Sequence, residues 1–188
     1  MAAVATFALV QLRAAIDGAN ASTSPGIAKG EPVPSIVGVT IDGAPFDLAS
    51  LRGRPVLVNF WGPSCVPCRN EFPLFKTLLK EHAADGLAIV GILMGDPPGP
   101  ARDFIAKYGA TWPTVLDDSK AFLTAYRVAA RPTTYFIDRD GILRSIQIGE
   151  LTEPEFERQY ALISGGGTAP SGAATTSGPT APGPTTGP

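Results

Sequence analysis

The chain has 188 residues, a length suited to one ordinary domain with appendages. Lys and Arg number 15 against 17 Asp and Glu, a formal charge of −2, so the clustered cations that phosphate contacts need are missing and no nucleic-acid partner is expected. Two Cys and one His exclude a disulfide-rich scaffold and cannot fill a four-ligand zinc site within one chain, while 44% hydrophobic residues suffice for a real core.

Residues 1–29 read as an N-terminal segment. Ala2 to Val10 is uncharged but shorter than the roughly 20 apolar residues that span a bilayer. Ala19-Asn20-Ala21 has the small-x-small form of a signal-peptidase site, whereas no Lys or Arg precedes the apolar run. Two readings stay open: an export signal or anchor remnant followed by a linker, and a plain disordered start. Residues 30–164 alternate strand and helix signals. Ser35 to Val39 and Ala44 to Leu48 flank Asp42-Gly43, a hairpin signature. Pro55 to Trp61 is a continuous apolar run of the buried-strand type. Arg69 to Ala84 repeats apolar residues at helical spacing, and Leu87 to Met94 is a second buried strand. Arg102 to Tyr108 and Ser119 to Tyr126 read as short helices, with a strand between them. Thr133 to Ile137 and Ile142 to Ile148 are strands joined by a tight Asp138-to-Gly141 turn. Thr152 to Ile163 closes the domain as a helix, with Thr152 and Glu155 spaced as a capping box. The order predicts a mixed sheet with helices on both faces. From Gly165 to Pro188 every residue is Gly, Pro, Ala, Ser or Thr, a tail with nothing to bury that reads as disordered.

Chemistry is concentrated at Cys65-Val66-Pro67-Cys68, which follows the first buried strand and opens a helix. Two Cys three residues apart on a first helical turn bring their Cα atoms within disulfide range. The first thiol faces unpaired backbone N–H groups and the positive end of the helix dipole, which stabilise a thiolate and lower its pKa. Cys65 is therefore the attacking group, and Cys68, one turn deeper, the resolving thiol. Pro67 lacks an N–H and suits a helix start. A half metal site completed by a second subunit and a pair of inert thiols are the alternatives. His82, four turns along the same helix, reads as a structural or surface residue. Glu71 reads as a helix-face acid whose charge suits the dipole.

Val58 to Trp61, Cys65 to Pro73 and Arg131-Pro132-Thr133-Thr134 to Gly141 resemble the TlpA/ResA/CcmG branch of the thioredoxin superfamily. The resemblance runs from about Gly30 to Ile163. It implies an α/β, thioredoxin-like fold: a mixed central sheet flanked by helices, with an N-terminal β-hairpin and a central βα insertion. It implies that Cys65 and Cys68 are the nucleophilic and resolving cysteines, that Pro132 is a cis-proline lying against them, and that Pro73 kinks the helix. Asp96 falls where several members carry an acid near the thiols, which makes it a candidate proton carrier for Cys68; an acid leading a helix out of a Pro-rich loop is the alternative. Trp61, Pro67 and Arg131 are the candidate substrate-facing residues, and the large apolar surface of Trp61 also reads as packing in the core or as a wall of the site.

Two departures stand out. Gly62-Pro63-Ser64 replaces the aromatic residue that the family usually carries before the first Cys, and Arg131 precedes the cis-proline where many members have an uncharged residue. An Arg131 guanidinium beside Cys65 favours the thiolate and a more oxidising couple, and Asp96 opposes it, which leaves the direction of electron flow open. The expected function is thiol-disulfide exchange with protein thiols and disulfides, as a reductant in cytochrome c maturation. Apocytochrome c is then a substrate and a membrane thiol a donor. The expected location is extracytoplasmic, in the cell envelope, with membrane anchoring as one form. No cofactor and no metal are expected, since the dithiol is itself the redox centre. The rivals are an oxidant of exported proteins, a metal-binding module and a peroxidase. Against the last, Gly62 stands where the hydroxyl of a peroxidatic Thr-x-x-Cys would be.

Overall fold

The computed structural model describes residues 27–165; the readings made of the export segment before Ile27 and of the tail beyond Gly165 lie outside the described residues. The chain enters as an extended arm on the outer edge of the last strand. Gly30 N–H donates to the Leu143 carbonyl at 2.8 Å, and Leu143 N–H to that of Glu31 at 2.9 Å. The buried Tyr126 hydroxyl then holds the Pro34 carbonyl at 2.8 Å. Strands β1 (Val37–Val39) and β2 (Pro45–Asp47) form the antiparallel hairpin expected from Asp42-Gly43. β2 stops one residue short of the predicted Leu48, because the Asp47 carboxylate accepts the Ala49 N–H at 2.8 Å and turns the chain into a 3-10 helix, Leu48–Leu51.

The remaining elements are β3 (Val56–Trp61), α1 (Val66–Glu81), β4 (Ala88–Leu93), α2 (Pro98–Tyr108), β5 (Thr114–Leu116), α3 (Ala121–Ala125), β6 (Thr133–Ile137), β7 (Leu143–Ile148) and α4 (Glu153–Ser164). The strands β5-β4-β3-β6-β7 make one sheet in that order. β3, β4 and β5 are parallel, while β6 and β7 run antiparallel to their neighbours. β5 and α3 lie between α2 and β6 in the chain, and β5 supplies one edge of the sheet. β3 and β4 are buried along their whole length, so their alternating side chains feed two cores. Leu57, Trp61, Ile89 and Leu93 join Phe72 and Phe75 of α1, Phe104 of α2 and Phe156 of α4 on one face. Val58, Phe60, Val90 and Ile92 join Ile36, Leu48, Tyr126 and Val128 on the other.

Two helices begin earlier than apolar periodicity indicates. α1 starts at Val66 rather than Arg69, with Pro67 in its first turn, and α2 starts at Pro98 rather than Arg102. Proline breaks a helix interior but is tolerated in the first turn, where its missing N–H would have no partner anyway. The register pairs Trp61 with Leu93 and Phe60 with Thr133, so the chain segments after β3, after β4 and before β6 emerge together at one end of the sheet.

Candidate active site

Cys65 and Cys68 lie at that end, joined as a disulfide with their Cα atoms 5.3 Å apart. Cys65 is the N-cap of α1, and its sulfur accepts the Cys68 backbone N–H at 3.2 Å. One of the orphan donors of the helix N-terminus is therefore aimed at the sulfur that would carry negative charge. The two sulfurs differ in access. Cys68 is fully buried in the core under β3, whereas Cys65 is only partly buried and Val66 beside it is exposed. Pro67 is half-buried in the first turn of α1, and Pro73 interrupts the hydrogen-bond ladder further along the helix. The Arg131–Pro132 peptide is cis; Pro132 is buried and its carbonyl accepts the Gly149 N–H at 2.9 Å.

Trp61 is placed differently from its expected role as a substrate-facing residue. Its side chain is fully buried, with its ring centroid 4.6 Å from that of Phe72 and 5.6 Å from that of Phe104, so it forms the floor under the site and touches no substrate surface. Gly91 in β4 makes room for it: a Cβ there would lie 2.6 Å from Trp61 Nε1 and 2.9 Å from Thr114 Oγ1. His82 ends α1, with its ring 4.2 Å from that of Tyr160 and 5.3 Å from that of Phe156, a packing position between α1 and α4.

The acids sort in a way that spacing alone did not reveal. Asp96 lies beside Ser64, whose backbone N–H and hydroxyl both donate to Asp96 Oδ2, at 3.1 and 3.0 Å, and Arg131 Nη1 donates to the same oxygen at 2.9 Å. Partial burial pushes the Asp96 carboxyl up, but the two Ser64 bonds and the Arg131 guanidinium outweigh it and hold the group below the usual carboxylate range. Two Ser64 donors and Arg131 thus converge on one oxygen of Asp96. Glu71 corrects the reading as a helix-face acid: it is fully buried. Its Oε1 accepts the Leu151 N–H at 2.7 Å and its Oε2 the Asn59 side-chain amide at 3.3 Å. Burial pushes its pKa up from 4.5 to about 8, against the opposing effect of these bonds. Glu71 lies three residues after Cys68 on the same buried stripe of α1. The only sequence signal for it is its spacing from Phe72, Phe75 and Leu78, which puts it on the apolar stripe. Among the described residues, no group of three or more His, Cys, Asp or Glu side chains is gathered as a metal-ligand set, and no helix is long and apolar enough to cross a membrane.

Known proteins share this arrangement. The AhpC/TSA family pattern matches residues 29–146. Thiol-disulfide oxidoreductase ResA of Geobacillus kaustophilus is 33% identical over 137 residues, covering 73% of this chain and 79% of that protein. ResA of Bacillus subtilis is 33% identical over 142 residues, covering 76% and 79%. A thiol:disulfide interchange protein of the thioredoxin family from Chlorobium tepidum TLS superposes with a TM-score of 0.67 at 29% identity, over 73% of this chain and 99% of that one. A secreted disulfide oxidoreductase of Mycobacterium tuberculosis, homologous to E. coli DsbE, superposes with a TM-score of 0.61 at 27% identity, over 68% and 96%. The fold is thioredoxin-like, with the mixed five-stranded sheet flanked by helices that the sequence predicts.

Proposed function

The chain belongs to the AhpC/TSA family and, with the ResA proteins, is a thioredoxin-like thiol-disulfide oxidoreductase; from that premise we propose that Cys65 attacks, Cys68 resolves, and electrons flow outward to protein disulfides. The observation that carries the assignment is the unequal access of the two sulfurs, one partly exposed on the helix N-cap and one sealed beneath it. In the reduced protein the Cys65 thiolate attacks one sulfur of a substrate disulfide. A Cys65–substrate bond forms, and the other substrate sulfur leaves as a thiolate and takes up a proton. Cys68 gives up its proton and attacks the Cys65 sulfur. The Cys65–Cys68 disulfide closes and the second substrate thiol departs, so two electrons have passed to the substrate. A dithiol donor reverses the sequence to restore the reduced protein. The ionised form of Glu71, a fraction that a pKa of about 8 allows near neutral pH, is the group proposed to accept the Cys68 proton and hand it to the departing substrate thiolate; it is buried and one turn along α1.

The edge formed by Arg131 and Pro132 is proposed to receive the extended substrate chain, with Pro67 as a further contact. The resemblance supports apocytochrome c as substrate, a membrane thiol as donor and an extracytoplasmic location. Peroxide chemistry is disfavoured, because Gly62 has no hydroxyl and the Ser64 hydroxyl is committed to Asp96 and Arg131. The test is a Cys68→Ser variant, which should accumulate a mixed disulfide through Cys65 with a disulfide-containing protein substrate. Absence of any adduct, with Cys65 reactive toward small disulfides, refutes the assignment. The reduction potential decides direction: a value near about −270 mV supports a reductant, and one near about −120 mV the oxidant reading.

A further inference from the structure

The three chain segments that meet over Cys65 are tied together by side chains. Arg131, immediately before Pro132, donates Nη1 to the Met94 carbonyl and to Asp96, and Nη2 to the Ser64 hydroxyl at 2.7 Å. Ser64, immediately before Cys65, returns its N–H and its hydroxyl proton to Asp96. The Asp96 side chain is 12% exposed and that of Arg131 24%, so the pair is screened less than one on the open surface. Gly62 makes the crossing sterically allowed, since a Cβ there would overlap both Arg131 Nη1 and Asp96 Oδ2. Ser64, at the position where the family usually carries an aromatic residue, is thus tied into the Asp96–Arg131 ion pair.

Resting on the thiol-disulfide reading above, we propose that Asp96 is a positioning residue that sets the reduction potential of the Cys65–Cys68 pair, by fixing the Arg131 guanidinium on Ser64 and cancelling its charge. A guanidinium released at this lip would stabilise the Cys65 thiolate, favour the reduced protein and make the couple more oxidising. Held against Asp96, it contributes little net field at the sulfur. Asp96 also anchors the backbone N–H of the residue before Cys65, so charge and geometry are set by one carboxylate. This role differs from proton transfer to Cys68, which requires a carboxyl that gains and loses a proton during turnover.

The experiment compares wild type, Asp96→Asn, Arg131→Met and the double variant, each checked for folding by circular dichroism. Two quantities are read: the equilibrium with glutathione, and the pH midpoint of Cys65 alkylation by iodoacetamide. Asp96→Asn is expected to move the equilibrium about tenfold toward the reduced protein, about 30 mV for a two-electron couple, and to lower the alkylation midpoint. Arg131→Met, which leaves Asp96 unpaired at the lip, should shift both readouts the opposite way, and the double variant should return close to wild type. No shift in Asp96→Asn, or a shift of Arg131→Met in the Asp96→Asn direction, overturns the proposal. Ser64→Ala, which removes only an exposed hydroxyl, should shift both readouts in the same direction and by less; if it moves neither, the lock is not what sets them. A wild-type protein that fails to equilibrate with glutathione refutes the underlying reading, whereas one that exchanges normally with an insensitive potential refutes only this inference.

Discussion

Glu71 offers the sharpest physical test of the site. Buried without a cationic partner, its carboxyl is raised from 4.5 to about 8, so the native protein keeps a proton there that the unfolded chain has released. Between those two values the native state binds more protons than the unfolded state, and stability must fall as pH rises, by up to about 1.4 kcal/mol per pH unit from this group alone. Across the window the loss is on the order of 4–5 kcal/mol, and above about pH 8 the contribution is flat. Glu71→Gln keeps an oxygen for the Leu151 N–H and removes the titration. Urea unfolding of the oxidised proteins from about pH 5 to about pH 9 isolates the effect, because the thiols are locked in the disulfide and any other titrating group cancels in the difference. The wild-type curve should decline through this range, and the difference from Glu71→Gln should widen and then level off. Parallel curves for the two proteins would mean that Glu71 is already ionised at acid pH, and the assignment of a neutral acid beneath Cys68 would fall.

Gly91→Ala places a methyl carbon against Trp61 Nε1 and Thr114 Oγ1, so urea unfolding of the oxidised protein should show a loss of about 1–3 kcal/mol from overpacking. Unchanged stability would show that the indole is free to shift. Tyr126→Phe removes the hydroxyl that holds the Pro34 carbonyl, and about 1–2 kcal/mol should be lost. Hydrogen exchange at the Gly30 amide, bonded to the Leu143 carbonyl, should quicken in the same variant if the arm is docked through that hydroxyl; unchanged exchange would show that the arm is held independently.

What could be read from the sequence was what depends on near neighbours. The apolar run from Val56 to Trp61, the cysteines at a helix start and the Asp42-Gly43 hairpin each carry their signal within a few residues, and each appears in place. The start of α2 was hidden because proline in a first helical turn looks, one residue at a time, like loop. The acids were hidden for a different reason. Glu71 and Leu151 are 80 positions apart, and Asp96 and Arg131 are 35 apart, so neither the burial of the first nor the pairing of the second has a local signature. Trp61 was ambiguous because a large aromatic side chain at the end of a strand serves equally as floor or wall, and the bulk of Phe72 and Phe104 around it decides for floor.

The two acids also explain why one short helix turn can support both halves of an exchange reaction. Attack at Cys65 requires negative charge to be tolerated at the surface, which the Cys68 N–H and the helix N-terminus provide; Asp96 adds little opposing field because Arg131 neutralises it. Resolution requires a proton to leave Cys68 in a dry interior, where a permanently charged carboxylate would disfavour a second negative charge. Glu71, uncharged in most molecules and ionised in a fraction near neutral pH, is the proposed acceptor of that proton, and its bonds to Leu151 and Asn59 hold it in the interior. Exchanging the two environments would defeat both steps. An unpaired anion at the lip would raise the cost of the Cys65 thiolate, and a carboxylate held in an ion pair under Cys68 would be too weak a base to accept its proton. The separation of charge between lip and core follows from which strand end each acid adjoins: Asp96 lies past the end of β4, where Gly62 opens a path to Arg131, and Glu71 lies on the buried stripe of α1.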